Sequence, residues 1–145
     1  EDPPMAAREI ARTTEKERVR LRKLAEKGGF IEACIRVIQA VAGGDLILDS
    51  LELGTAETII QKSRRLSRLT PEQYKKINRE QAQILHGVPR KALTSLAQME
   101  LTSEDRARLY DIAEQMAFAD DKHETKEKGL LKTLHRILLP EGEAA

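Results

Sequence analysis

The densest cluster of possible cation ligands in the sequence is Asp120-Asp121-Lys122-His123-Glu124-Thr125-Lys126-Glu127. Asp120, Asp121, Glu124 and Glu127 offer the oxygens that a hard cation such as Ca2+ or Mg2+ prefers, and His123 adds a nitrogen that suits Zn2+. Asp120 and Glu124 come close in a tight turn, while His123 and Glu127 share a helix face if the helix has already begun. The ligand alternation and glycine of an EF-hand loop are missing. The competing account is electrostatic: acids at a helix start are favoured by its dipole, with Asp121 or Thr125 as the cap.

Glu80 is the second group of interest. With Gln81 it falls within the apolar stripe of an amphipathic segment, and a buried carboxylate costs several kcal/mol unless it is paired. An arginine, a lysine or a helix N-terminus is therefore expected beside it, as a structural ion pair or at the stripe's margin. A catalytic acid would need a pocket and a partner, and neither is visible in the sequence. Cys34 lies inside an apolar stripe and reads as an inert core thiol. His86 and His135 have no catalytic partner at readable spacing, and no phosphate loop, cysteine zinc motif or nucleophile elbow occurs.

The third feature is positive charge in the middle of the chain. Arg64, Arg65, Arg68, Lys75, Lys76 and Arg79 are expected to form an anion-binding or partner surface, extended by Lys62, Arg90 and Lys91 and opposed only by Glu72 and Glu80. The segment 100–127 is acidic in turn, so a second copy docking head to tail is one candidate partner. RNA, DNA and anionic lipid are others. Aromatics are confined to Phe30, Tyr74, Tyr110 and Phe118, which disfavours nucleic acid because base-stacking platforms are lacking. A protein partner or homo-oligomer is expected, and membrane-surface contact stays open.

The elements that must position these groups are helices. The chain of 145 residues suits one domain, and its charged fraction of 34% at a net charge of only +1 implies helices with solvated outer faces. One cysteine excludes an intramolecular disulfide and fits a reducing compartment, with the cytoplasm as the expected location. No apolar run approaches the roughly 20 residues that span a bilayer. Glu1-Asp2-Pro3-Pro4 resembles a linker, so the chain is expected to be part of a longer protein.

Residues 1–27 read as a charged N-terminal helix or linker with apolar positions at Ile10, Val19, Leu21 and Leu24, ended by Gly28-Gly29. The most apolar segment, 30–42, carries Ile31, Cys34, Ile35, Ile38, Val41 and Ala42 on one stripe and is expected to be the central core helix, ended by Gly43-Gly44. Asp49 or Ser50 caps a helix with Leu53, Ala56, Ile59 and Ile60 inward. Thr70-Pro71-Glu72-Gln73 is a strong helix start, combining an N-cap, a proline at the first position and a capping-box glutamine. That helix turns Tyr74, Ile77, Ile84 and Leu85 inward. Residues 89–98 form a short helix with Leu93, Leu96 and Ala97 inward, and Thr102 or Ser103 caps the next. The paired helices of 109–138 place Leu109, Ile112, Ala113, Met116 and Ala119, then Leu130, Leu134, Ile137 and Leu138, at helical spacing. Residues 140–145 are expected to be a disordered tail. The fold class is all-α, a compact bundle of about six or seven helices over 28–139, with a weak internal helix-turn-helix repeat of 30–60 in 109–138.

That repeat resembles the tellurite-resistance TerB-like domains, whose signature is an apolar helix ending in Ala-x-Ala-Asp-Gly and a glutamate in the following helix. Ala117-Phe118-Ala119-Asp120-Asp121 with Glu127 matches it, with Asp121 in place of the glycine. Ala40-Val41-Ala42-Gly43-Gly44 keeps the shape and loses the aspartate, so the carboxylates of the family's suspected metal site are half present. Lys75-Lys76-Ile77-Asn78-Arg79-Glu80-Gln81, Arg90-Lys91-Ala92-Leu93 and Gly28-Gly29-Phe30 are similar to the helical tail of bacterial polyhydroxyalkanoate-synthase-like proteins. The resemblances imply a non-enzymatic bacterial interaction or regulatory module, an accessory to a larger protein. The alternative is a metal-binding stress-response protein that uses the 120–127 turn.

Overall fold

A computed structural model describes residues 15–42, 50–119 and 125–139, the side chains of 50–53 and 125–127 excepted. Gly43-Gly44, the Asp49 cap, the tail 140–145 and Ile10 lie outside the described residues. Within them all regular structure is helical: α1 (15–25), α2 (Phe30–Val41), α3 (Ser50–Lys62), α4 (Arg64–Ser67), α5 (Pro71–Gly87), α6 (Pro89–Thr94) followed by a 3-10 turn (Ser95–Ala97), α7 (Ser103–Ala119) and α8 (Thr125–Leu138). No helix among the described residues is long and apolar enough to cross a membrane.

The centre is α2, as its composition demands. Gly28 ends the preceding turn at φ +102°, a conformation that side chains rarely adopt. Glu32 then reaches back to accept the Gly29 N–H at 3.0 Å, satisfying a free donor at the helix start. Because α2 is apolar on nearly every face, nearly every face is covered. It packs chiefly on α7 and α5, while α7 packs in turn on α8 and α3. Cys34, Ile35, Val37, Leu66, Leu96, Leu109, Ile112, Met116 and Leu134 share this core. A smaller cluster joins α1 to the end of α5 and to α6 through Leu21, Ala25, Ile84, Val88 and Ala92. A Cβ at Gly87 would collide with Leu21 Cδ1, so the glycine leaves room for that side chain where α1 meets the end of α5.

Two reciprocal caps set the helix starts. Thr70 Oγ1 accepts the Gln73 N–H at 3.1 Å and Gln73 Oε1 accepts the Thr70 N–H at 2.9 Å. Thr102 Oγ1 accepts the Asp105 N–H at 3.0 Å, and Asp105 Oδ2 accepts the Thr102 N–H at 3.2 Å.

Several expected core positions move. Val19 is exposed, while α1 buries Leu21, as expected, together with Ala25. Ala97 is exposed because the chain tightens into the 3-10 turn, whose three-residue period swings Ser95, Leu96 and then Met99 inward. In α8 the buried stripe runs through Leu131, Leu134 and Leu138, leaving Leu130 and Ile137 half-buried at its margins.

Candidate functional site

The run of cations that is continuous in sequence divides in space. Ser63 sits between α3 and α4, and its Oγ accepts the Leu66 N–H at 3.2 Å, so the chain turns sharply there. Leu66 is buried under the turn, while Lys62, Arg64 and Arg65 are left on the surface. These three side chains, with Ser63, Phe30 and, from α7, Asp105 and Arg108, line a pocket of about 200 Å3. The Arg65 guanidinium lies 4.8 Å from the centroid of the Phe30 ring, in cation–π contact, and pairs with Asp105 Oδ1 at 3.2 Å. Asp105 is therefore engaged twice, one oxygen on Arg65 and the other on the Thr102 backbone. Its single negative charge faces four cations, and no other carboxylate lines the pocket among the described residues. What such a place can do chemically is hold an anion, with guanidinium forks matched to a carboxylate or phosphate.

Arg68 is exposed at the end of α4, and Lys75, Lys76 and Arg79 are exposed along α5. Lys76 borders a different hollow, about 320 Å3, with Gln73, Ile77 and Glu80. Of the six expected surface residues, the pocket thus gathers Arg64 and Arg65 and leaves the other four outside its lining. It adds Arg108 and Asp105, distant in sequence, which no local pattern could have joined to α4.

Glu80 is not the buried group. It is half-buried at the margin of α5, and the residue that enters the core is its neighbour Gln81, at 1% exposure. A helix rotates about 100° per residue, so adjacent positions can differ in this way. Gln81 meets a cation absent from the sequence-based expectations: Arg36 of α2, wholly buried. Arg36 Nε donates to Gln81 Oε1 at 2.8 Å, and Nη1 donates to the carbonyls of Ala25 at 3.0 Å and Ala92 at 2.9 Å and to Ser95 Oγ at 3.2 Å. One guanidinium thereby ties α1, α2, α5 and α6 together. Beside it Gln39 Nε2 donates to the Asn78 carbonyl at 2.9 Å and to its side-chain oxygen at 2.6 Å. Burial pushes the Arg36 pKa down to about 10, against the pull of the Glu32 and Glu80 charges, so it is a cation at neutral pH. The signal was present in the sequence: a helix apolar all round must bury its one arginine.

Cys34 is wholly buried, and desolvation pushes its thiol up to about 12, opposed by Arg108. It is an inert core thiol, as expected. His135 is half-buried and meets the Tyr110 ring edge-on, centroids 5.1 Å apart, while His86 is exposed. Asp120, Asp121, His123 and Glu124 lie outside the described residues, as does the Glu127 side chain. Among the described residues no group of three or more His, Cys, Asp or Glu side chains is placed to hold a metal ion. No protein-family model, no curated protein and no solved structure matches this chain.

Proposed function

We propose that this chain is a non-enzymatic helical interaction module, regulatory or accessory in kind, that engages an acidic segment of a partner protein at the pocket between α4 and α7. The observation that carries the reading is the convergence of Lys62, Arg64, Arg65 and Arg108 on one small pocket whose lining carboxylate, Asp105, is already committed to Arg65 and to a helix cap. Lys62, Arg64 and Arg108 are exposed to an incoming anion. A volume of about 200 Å3 suits an aspartate or glutamate side chain better than a nucleoside. The one aromatic ring there, Phe30, has its face taken by Arg65, which removes the platform a base would stack on. Charges at such a rim speed encounter and select partners more than they add affinity. The TerB-like resemblance carried by 117–121 and Glu127 adds a bacterial origin to the proposal.

The test is fluorescence anisotropy with a labelled oligoglutamate peptide. The full chain should bind it at low salt and release it steeply as salt rises, because the contacts are surface ion pairs. Arg64→Glu with Arg108→Glu should lose about tenfold or more in affinity, as expected when charged hydrogen bonds are removed. Absence of binding at low salt removes the proposal.

A further inference from the structure

A second cationic hollow lies on another face, where α1 crosses the start of α6. It encloses about 450 Å3, more than twice the α4–α7 pocket. Arg18 and Arg22 line it from α1, and Arg90 and Lys91 from α6. Val88, which is buried, forms part of its floor. Among the described residues no aspartate or glutamate lines it. Lys91 touches Glu26 at 3.6 Å on the rim and donates to Gln98 Oε1 at 3.3 Å.

This arrangement works against folding. Like charges one helical turn apart repel, as Arg18 and Arg22 must. Arg90 follows Pro89 in the first turn of α6, where free N–H groups already disfavour positive charge. Glu26 relieves Lys91 in part, but no carboxylate among the described residues lines the hollow beside Arg18, Arg22 and Arg90, and local preferences left unsatisfied in this way point to a ligand that satisfies them.

The walls are also held in place. Arg36 Nη1 bridges the Ala25 carbonyl at the end of α1 and the Ala92 carbonyl in α6, at 3.0 and 2.9 Å. Leu21 packs with Val88 and Ala92 directly beneath. The two arginine-bearing elements therefore keep their spacing without a ligand, and binding need not supply the ordering.

We infer that this α1–α6 groove binds a phosphate-bearing ligand through Arg18, Arg22, Arg90 and Lys91. Arginine forks take phosphate oxygens in pairs, and three arginines with a lysine exceed what a single carboxylate can use. The volume admits a molecule larger than one phosphate group, as a phosphoester or a lipid headgroup is. The inference does not rest on the acidic-partner reading, since the two sites share no lining residue.

The experiment uses the full chain at low salt, with calorimetric titration of pyrophosphate and co-sedimentation with phosphatidylcholine vesicles with and without phosphatidic acid. Arg18→Ala with Arg90→Ala should weaken binding by about tenfold per arginine removed, the usual loss for a charged hydrogen bond. Both side chains are exposed and removing them relieves repulsion, so the melting temperature should not fall. Arg64→Ala with Arg108→Ala should leave binding unchanged. Pyrophosphate binding that is lost in the groove variant identifies a soluble phosphate ligand, and vesicle binding lost in the same variant identifies a lipid one. Either result supports the groove. No binding of either probe, or equal binding by the groove variant and the native chain, overturns the inference, as does equal weakening in both double variants.

Discussion

Arg36→Met removes the buried cation while keeping a long side chain of adaptable shape. The native guanidinium makes one bond to Gln81 and three through Nη1. Ala92 O and Ser95 Oγ keep a mutual contact at 3.4 Å, so the groups left with least are Gln81 Oε1 and the Ala25 carbonyl. At about 1–3 kcal/mol for each stranded buried acceptor, the gross loss is a few kcal/mol. Release of a desolvated charge offsets part of it, which leaves a net destabilisation on the order of 2–3 kcal/mol. Adding Gln81→Leu removes the stranded amide, so the double variant should be more stable than the sum of the two single changes implies. Urea denaturation followed by circular dichroism measures all three. Arg36→Met as stable as the native chain would refute the reasoning, because the network would then be dispensable for stability. Hydrogen exchange adds a local readout: amides of α1 should lose protection first, since the Ala25 carbonyl is where Arg36 holds that helix.

Gly28→Ala should cost about 1–3 kcal/mol, because φ +102° places its Cβ 2.9 Å from Glu32 Cγ. Gly54→Ala, in α3 with nothing within 4 Å, should instead stabilise by up to about 1 kcal/mol; opposite signs in two thermal melts check both. Cys34 keeps its proton to about pH 12 in the fold but loses it near 9 when unfolded. The unfolded chain therefore binds fewer protons between pH 9 and 12, and stability should fall across that window. The opposing rise from Arg36 above about pH 10 is common to the native chain and a Cys34→Ala variant. The steeper alkaline loss in the native chain isolates the thiol, and parallel curves would contradict its assignment. If a cation holds the 120–127 segment, adding calcium, magnesium or zinc to chelator-treated protein should raise the melting temperature. Asp120→Ala should abolish that response, and an unchanged melt would remove the metal reading.

Local patterns carried most of the architecture. The Thr70-Pro71-Glu72-Gln73 cap, the apolar 30–42 helix and the buried stripe of Leu109, Ile112, Ala113 and Met116 all depend on neighbours within one or two turns, and all were legible. The Ala97 position failed because a 3-10 turn changes the helical period without announcing it in composition. Glu80 and Gln81 straddle the edge of one stripe, and the position of Arg36 on α2 decides that Gln81 is the one that enters. The candidate site was half legible for a similar reason. Arg64 and Arg65 stand out in a basic run, but Arg108 and Asp105 join them through the packing of α7, and Lys75, Lys76 and Arg79 depart because α5 runs elsewhere. Arg18 and Arg22 look like ordinary solvated charges until α6 is laid beside them.

The most direct test of the acidic-partner reading is where the ligand lands. A titration of isotopically labelled protein with the oligoglutamate peptide, followed by amide and arginine Nε resonances, resolves the surface residue by residue. The account predicts saturable shifts at Phe30, at 62–65 and at 105–108, with the α5 lysines unmoved. Shifts centred on Lys75, Lys76 and Arg79, or none at the pocket, would contradict it.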